Sequence, residues 1–173
     1  MRARLLVLLL PAFLSASRPT SQTTWRLGLR GVGPIRYGMN LSEAARALRE
    51  KLNVAPTEPG SGCDYVHASA APEGLDFMVI DSVIERADVF RGDATTLSGA
   101  HIGSTEDEVK ALYRGRIEVQ EHPYTGPEGH YLVYVPRDPA DSAFRMIFET
   151  DGHKVTAYRA GRKPAVQLIE GCT

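Results

Sequence analysis

The chain lacks the short motifs that announce common enzyme chemistries. Its 173 residues contain no G-x-S-x-G elbow, no P-loop, no H-E-x-x-H pair and no C-x-x-C. The usual serine-hydrolase, phosphate-cradle, zinc-protease and thiol-redox signatures are therefore missing. Gly31-Val32-Gly33 begins like a dinucleotide fingerprint but has neither the third glycine nor a helix at the right spacing. Excess charge is also absent. The formal net charge is -1, which gives no reason to expect a nucleic-acid partner. There is no apolar run long enough to span a bilayer as a helix. Cysteine is scarce, with two residues, Cys63 and Cys172.

The chain opens on Met1-Arg2-Ala3-Arg4, continues through the apolar run from Leu5 to Leu10, and reaches small residues at Ser15-Ala16-Ser17. A basic start, a short apolar stretch and a small-residue end predict a signal peptide over residues 1–16. Residues 17–24 then form a flexible mature N-terminus. The expected location is periplasmic or secreted, with no membrane span once the signal is removed. Export makes a Cys63–Cys172 disulfide chemically reasonable. It would close a loop on the order of 100 residues, stabilising by up to ~4–5 kcal/mol in the chain-entropy model. Two buried thiols, or intermolecular pairing through Cys172, are the alternatives.

One stretch occurs twice. Tyr37-Gly38-Met39-Asn40-Leu41-Ser42-Glu43-Ala44 is matched by Ile102-Gly103-Ser104-Thr105-Glu106-Asp107-Glu108-Val109. In each, a large apolar residue precedes Gly, a polar residue stands two places on, and Glu follows three places later. Asn40 with Glu43, and Thr105 with Glu108, read as capping boxes. Each should open a helix, over residues 41–52 and 106–113, and the pair reads as an internal duplication.

Strands are expected around the two helices. Residues 25–35 alternate weakly among three glycines. A short strand covers 63–68, and 75–80 with 83–90 form a hairpin turning at Asp81-Ser82. Val83, Glu85, Ala87 and Val89 should share one face of the second arm, and Ile84, Arg86 and Asp88 the other. Residues 91–97 read as a linker. Strands follow over 116–120 and 130–135. A hairpin at 143–149 and 154–159 turns on Asp151-Gly152, a type I′ signal, and 164–169 reads as a last strand. The fold class is α+β, a tandem repeat of a helix packed on an antiparallel sheet, with repeats at 25–92 and 93–173.

Gly38 to Ala44 and Gly103 to Val109 carry a resemblance. The duplicated pattern resembles the secreted beta-lactamase inhibitor proteins, whose fold repeats a helical segment and an antiparallel sheet and forms a concave face. The motif also resembles the small lipoprotein subunit of the outer-membrane protein assembly machinery. The resemblance implies a fold and a binding mode. It implies no beta-lactamase target, and no inhibitory residues carry over. The chain departs from the lipoprotein pattern in having no cysteine placed for acylation, and from the inhibitor pattern in lacking a cysteine pair within each half.

Candidate chemistry is sparse. His122 and His130 flank the turn-rich loop 122–129 with Glu121, Glu128 and Tyr124, and two imidazoles with a carboxylate are zinc-type ligands. Their spacing matches no compact site, and a histidine at a loop edge is usually solvated. Ser61, between glycines, would need a base within reach to act as a nucleophile, and a plain loop explains it better. Cys63 with His67 could form a reactive thiol, but a second exported cysteine favours pairing. Tyr131, Val133 and Val135 share one strand face, and Leu132 and Tyr134 the other. Both faces are apolar, so one meets either the other repeat or a partner.

The expected function is that of an exported non-enzymatic binding module, either an inhibitor or an envelope assembly factor. Its partner would be another extracytoplasmic protein, met through a sheet face and loops that include Tyr124, His122, His130 and Tyr134. No cofactor, catalytic residue or bound metal is expected. The alternative is a small secreted metal-dependent hydrolase using His122, His130 and Glu121.

Overall fold

A computed structural model describes residues 25–54 and 62–172. The expected signal peptide, the flexible N-terminus and Ser61 lie outside the described residues. Among the described residues no helix is long and apolar enough to cross a membrane. The fold is α+β, mostly strand, with two short helices.

In chain order the first elements are β1 (Arg26–Gly28), β2 (Gly31–Val32), β3 (Ile35–Arg36) and helix α1 (Leu41–Leu48), followed by β4 (Cys63–Val66), β5 (Leu75–Ile80), β6 (Val83–Val89) and β7 (Thr95–Thr96). Helix α2 (Glu106–Leu112) precedes β8 (Ile117–Glu121), β9 (His130–Tyr134), β10 (Phe144–Thr150) and β11 (Val155–Arg162). A small sheet has the order β3-β2-β1-β7, with β1 and β7 parallel. The large sheet is antiparallel and seven-stranded, in the order β4-β5-β6-β11-β10-β9-β8.

That order corrects one expectation. The helices do not rest on separate sheets. Strands β6 and β11 pair directly, Asp88 opposite Arg159 and Ala87 opposite Ala160, so one sheet runs through both halves. Its inner face carries a single core. Leu75, Phe77, Ile84 and Val89 join Leu132, Phe148, Val155 and Tyr158 there, with Ala44 of α1 and Val109 of α2. The small sheet contributes Leu27, Val32 and Ile35 to the same core.

Both capping boxes form. Asn40 Oδ1 accepts from Glu43 N–H (2.9 Å) and Glu43 returns to Asn40 N–H (2.9 Å). Thr105 Oγ1 accepts from Glu108 N–H (3.2 Å) and Glu108 returns to Thr105 N–H (2.7 Å). Gly38 and Gly103, at φ of 96° and 91°, make the sharp entry that a side chain would strain. Helix α1 is shorter than expected. It stops at Arg49, which takes a left-handed conformation and returns its N–H to Ala45 and Arg46. Leu112 of α2 is exposed.

The two helix entries dock on their hairpins by the same bonds. Gly38 N–H donates to Ile84 C=O (2.7 Å), and Gly103 N–H to Val155 C=O (2.8 Å). The return bonds run from Ile84 to Met39 (2.8 Å) and from Val155 to Ser104 (2.9 Å). Leu41 N–H reaches Ser82 C=O (3.0 Å), and Glu106 N–H reaches His153 C=O (3.1 Å). Each hairpin also skips one residue just beyond the docking point, Glu85 in β6 and Thr156 in β11. The bulge at Glu85 overturns the simple alternation expected for β6. It brings Ile84 onto the same core face as Ala87 and Val89, while Arg86 and Asp88 stay opposite.

Three further elements differ from expectation. The linker 91–97 contains β7, whose Thr95 and Thr96 pair with Arg26 and Leu27. Only Gly152 of the Asp151-Gly152 turn has positive φ, so the turn is not type I′. Asp151 Oδ1 instead accepts from the N–H groups of His153 (2.9 Å) and Lys154 (2.8 Å). Residues 164–169 form no strand. Ala165–Gln167 is a short 3-10 helix lying on the outer face of the large sheet.

Candidate binding face

The outer face is built by alternation. Residues Tyr65 on β4, Asp76 and Met78 on β5, Arg86 and Asp88 on β6, Arg159 on β11, Ile147 and Glu149 on β10, and Tyr131 and Val133 on β9 fall opposite the core. The C-terminal segment 164–172 lies across them as a strap. Val166 packs with Tyr131, Val133 and Ile147, and Ala165 with Met78 and Cys172. The far end is fixed by the Cys63–Cys172 disulfide, Cα to Cα 5.2 Å. Disulfide-bonded cysteines fit an extracytoplasmic location.

Two buried guanidinium groups hold the strap. Arg86 donates through Nη1 to the carbonyls of Ala165 (2.9 Å) and Leu168 (2.7 Å), through Nη2 to Tyr65 Oη (2.7 Å), and through Nε to Asp88 Oδ2 (2.9 Å). Arg159 donates through Nε to Val166 C=O (2.8 Å), pairs through Nη1 with Glu149, and stacks 5.2 Å above the Tyr131 ring. These carbonyls have no strand partner, and the guanidinium donors take that role. This is why the apolar run 164–169, read as a strand, lies down as a strap. Arg86, Asp88 and Arg159 are each under 5% exposed. Burial pushes the Asp88 carboxyl above its usual range, although Arg86 pulls it down. Burial likewise raises the phenols of Tyr65 and Tyr131.

Beside the strap opens a cavity of about 320 Å³. It is lined by Tyr65, Asp76, Arg86, Asp88, Phe90 and Glu149, and closed by Arg159 and the strap residues Ile169, Glu170 and Gly171. Phe90, Ile169 and Leu168 are exposed apolar side chains near its rim. Tyr124 hydrogen-bonds to Glu170, which ties the 122–129 loop to the strap and raises the Tyr124 phenol.

The structure divides the expected surface residues between two faces. His122 and Tyr124 belong to the outer face, with the His122 ring 4.6 Å from Tyr131. His122 Nδ1 accepts from the N–H groups of Tyr124 and Thr125 (both 3.2 Å), which places a neutral ring's proton on Nε2, 3.8 Å from Glu149. His130 and Tyr134 turn inward. His130 Nδ1 lies 2.7 Å from Glu106 Oε1, and the Tyr134 ring lies 5.1 Å from Tyr113 against the core. The four residues therefore do not form one surface. The same division separates the two imidazoles of the hydrolase alternative across the sheet. Among the described residues, no three His, Cys, Asp or Glu side chains come together as a metal group.

Arg86, Asp88 and Arg159 went unrecognised as site residues. Their signal is in the sequence: charges at alternate positions of a strand with Ala87 and Val89 between and after them. On a central strand those charges must be buried, and buried charges need partners.

No protein-family model matches the chain, and no curated protein matches it. One solved structure is similar, the crystal structure of the uncharacterized protein YfeY from Escherichia coli. It is 17% identical with a TM-score of 0.47, over 80% of this chain and 99% of that one.

Proposed function

We propose that the chain is an exported, non-enzymatic binding module that engages another extracytoplasmic protein through the outer face of its large sheet. The observation that carries this reading is the strap. It leaves Phe90, Ile169 and Leu168 exposed beside a cavity, on the face opposite α1 and α2. The polar groups beneath it are engaged in holding the strap and each other, which suits a rigid recognition surface. The disulfide is consistent with the export address read from residues 1–16.

We read the scaffold as a tandem repeat over residues 25–92 and 93–173. Its support is the matched set of backbone bonds at Gly38 and Gly103, together with the matched bulges at Glu85 and Thr156. An inhibitor and an envelope assembly factor both fit such a module.

The test is site-specific photo-crosslinking in the cell that exports the protein. Crosslinkers at Phe90 and Tyr124 should trap the same protein, and one at Leu112, outside the outer face, should not. Equal trapping at all three positions, or none at the outer two, overturns the reading.

A further inference from the structure

The large sheet ends at β8 without closing. Among the described residues the only strand partner of β8 is β9. The register from Ile117 opposite Tyr134 to Glu121 opposite His130 is unbroken, so no bulge twists this edge away. Ile117-Glu118-Val119-Gln120-Glu121 contains neither proline nor lysine, two common guards of an open edge. The strand is exposed from Glu118 to Glu121. Val119 is 51% exposed, an apolar residue at the middle of the edge.

Backbone parity decides which groups are open. Val135 N–H donates to Arg116 C=O (2.9 Å), and His122 N–H donates to Gly129 C=O (2.9 Å). The even-numbered residues of this stretch therefore bond to β9, and Ile117, Val119 and Glu121 turn their N–H and C=O groups outward. That pattern is self-complementary. A second β8 laid antiparallel, with Val119 against its own copy, sets Ile117 against Glu121 and Glu121 against Ile117. Each strand then donates three N–H groups to the other, six bonds in all.

The side chains select this register. It sets Glu118 across from Gln120, whose amide can donate to the carboxylate, and it brings the two Val119 side chains together. A shift of two residues in one direction sets Glu118 directly across from its own copy, a repulsive pair. The same shift in the other direction sets Ile117 across from Pro123, which has no N–H to give. We infer that the edge of β8 pairs with the same edge of a second copy of this chain, joining two large sheets into one about a two-fold axis. The inference stands apart from the outer-face reading and extends it. Residues opposed across an antiparallel pair lie on one face, so the dimer presents both outer faces on the same side.

The experiment is sedimentation velocity of the oxidised mature protein from about 1 μM to 1 mM. The wild type should pass reversibly from monomer to dimer. Val119→Lys sets two ammonium groups against each other at the axis, and Val119→Glu sets two carboxylates there. Each should weaken the dimer roughly tenfold or more. Residue 119 is exposed, so each variant should keep the wild-type circular dichroism. An equimolar mixture of the two variants should restore association as a heterodimer, which only direct opposition of the two positions explains. Hydrogen exchange gives a second readout. Raising the concentration through the transition should slow the outward amides of Ile117, Val119 and Glu121 and leave those of Glu118 and Gln120 unchanged. A wild type that stays monomeric throughout overturns the inference, as does a dimer indifferent to both substitutions or a mixture that fails to associate. Protection of the three outward amides only when a different protein binds would assign the edge to that protein and overturn it equally.

Discussion

The two faces of the large sheet are held by different physics. The inner face is apolar and closed on three sides, by α1, α2 and the small sheet, around Phe77, Phe148 and Tyr158. Its few polar contacts, such as Tyr158 Oη to Ala94 C=O (2.5 Å), satisfy single buried groups. The outer face is held by two guanidinium groups, a disulfide and two small apolar patches. Apolar packing is non-directional and tolerates many arrangements, whereas a buried ion network is costly unless every member is placed. The inner face thus provides stability. The outer face provides a defined surface, with one segment of chain held across it and a cavity at the segment's side.

If that division holds, the largest loss should come from the inner face. Phe148 is fully buried and its ring stacks 5.7 Å from Tyr158. Phe148→Ala should destabilise by about 3–5 kcal/mol, whereas Ile169→Ala on the exposed strap should change stability by less than ~0.5 kcal/mol. Chemical denaturation measures both. Comparable losses would mean that the strap belongs to the core after all.

A smaller and more local loss should follow removal of the disulfide. Cys63 and Cys172 are 109 residues apart, so the bond restrains much of the unfolded chain. The double variant Cys63→Ser, Cys172→Ser should lose about 2–5 kcal/mol. Hydrogen exchange should distinguish the faces. Amides of residues 164–172 should exchange faster even under native conditions, and those of β10 only through global unfolding. Uniform acceleration over both faces would break the comparison.

Much of the inner architecture was legible because it is local. A capping box is written within four residues, and the β5–β6 hairpin within two strands and a turn at Asp81 and Ser82, both of positive φ. The outer face was less legible because its partners are remote. The β6–β11 pairing joins residues 88 and 159, with no local pattern to announce it. Ala165-Val166 reads equally well as strand or strap, and only Arg86 and Arg159, arriving from other strands, decide between them. His122 and His130 flank one loop in the sequence, but strand alternation sends them to opposite faces. The bulge at Glu85 is a one-residue departure that periodicity registers only as a broken pattern.

The smallest effect concerns an ionic cluster on the inner side. Glu106, the first residue of α2, accepts at Oε1 from Thr150 Oγ1 (2.6 Å) and contacts His130 Nδ1 (2.7 Å), while Oε2 accepts from Lys110 Nζ (3.0 Å). Partial burial would raise its carboxyl, but the bonds from Thr150, His130 and Lys110 outweigh that and hold it below the usual range. A depressed folded-state pKa means that the unfolded chain binds the proton first. The stabilisation is therefore complete above the ordinary glutamate range, near pH ~4.3, and is lost as pH falls through the lower folded-state value. Glu106→Gln keeps a similar shape without the titration. Thermal unfolding from neutral pH into the acid range should show the wild type falling more steeply than this variant below the glutamate range, with parallel curves above it. Curves parallel throughout would mean that Glu106 contributes no charge-dependent stability. The inner face would then be held by apolar packing and neutral hydrogen bonds, leaving buried ion pairing as the property that distinguishes the outer face.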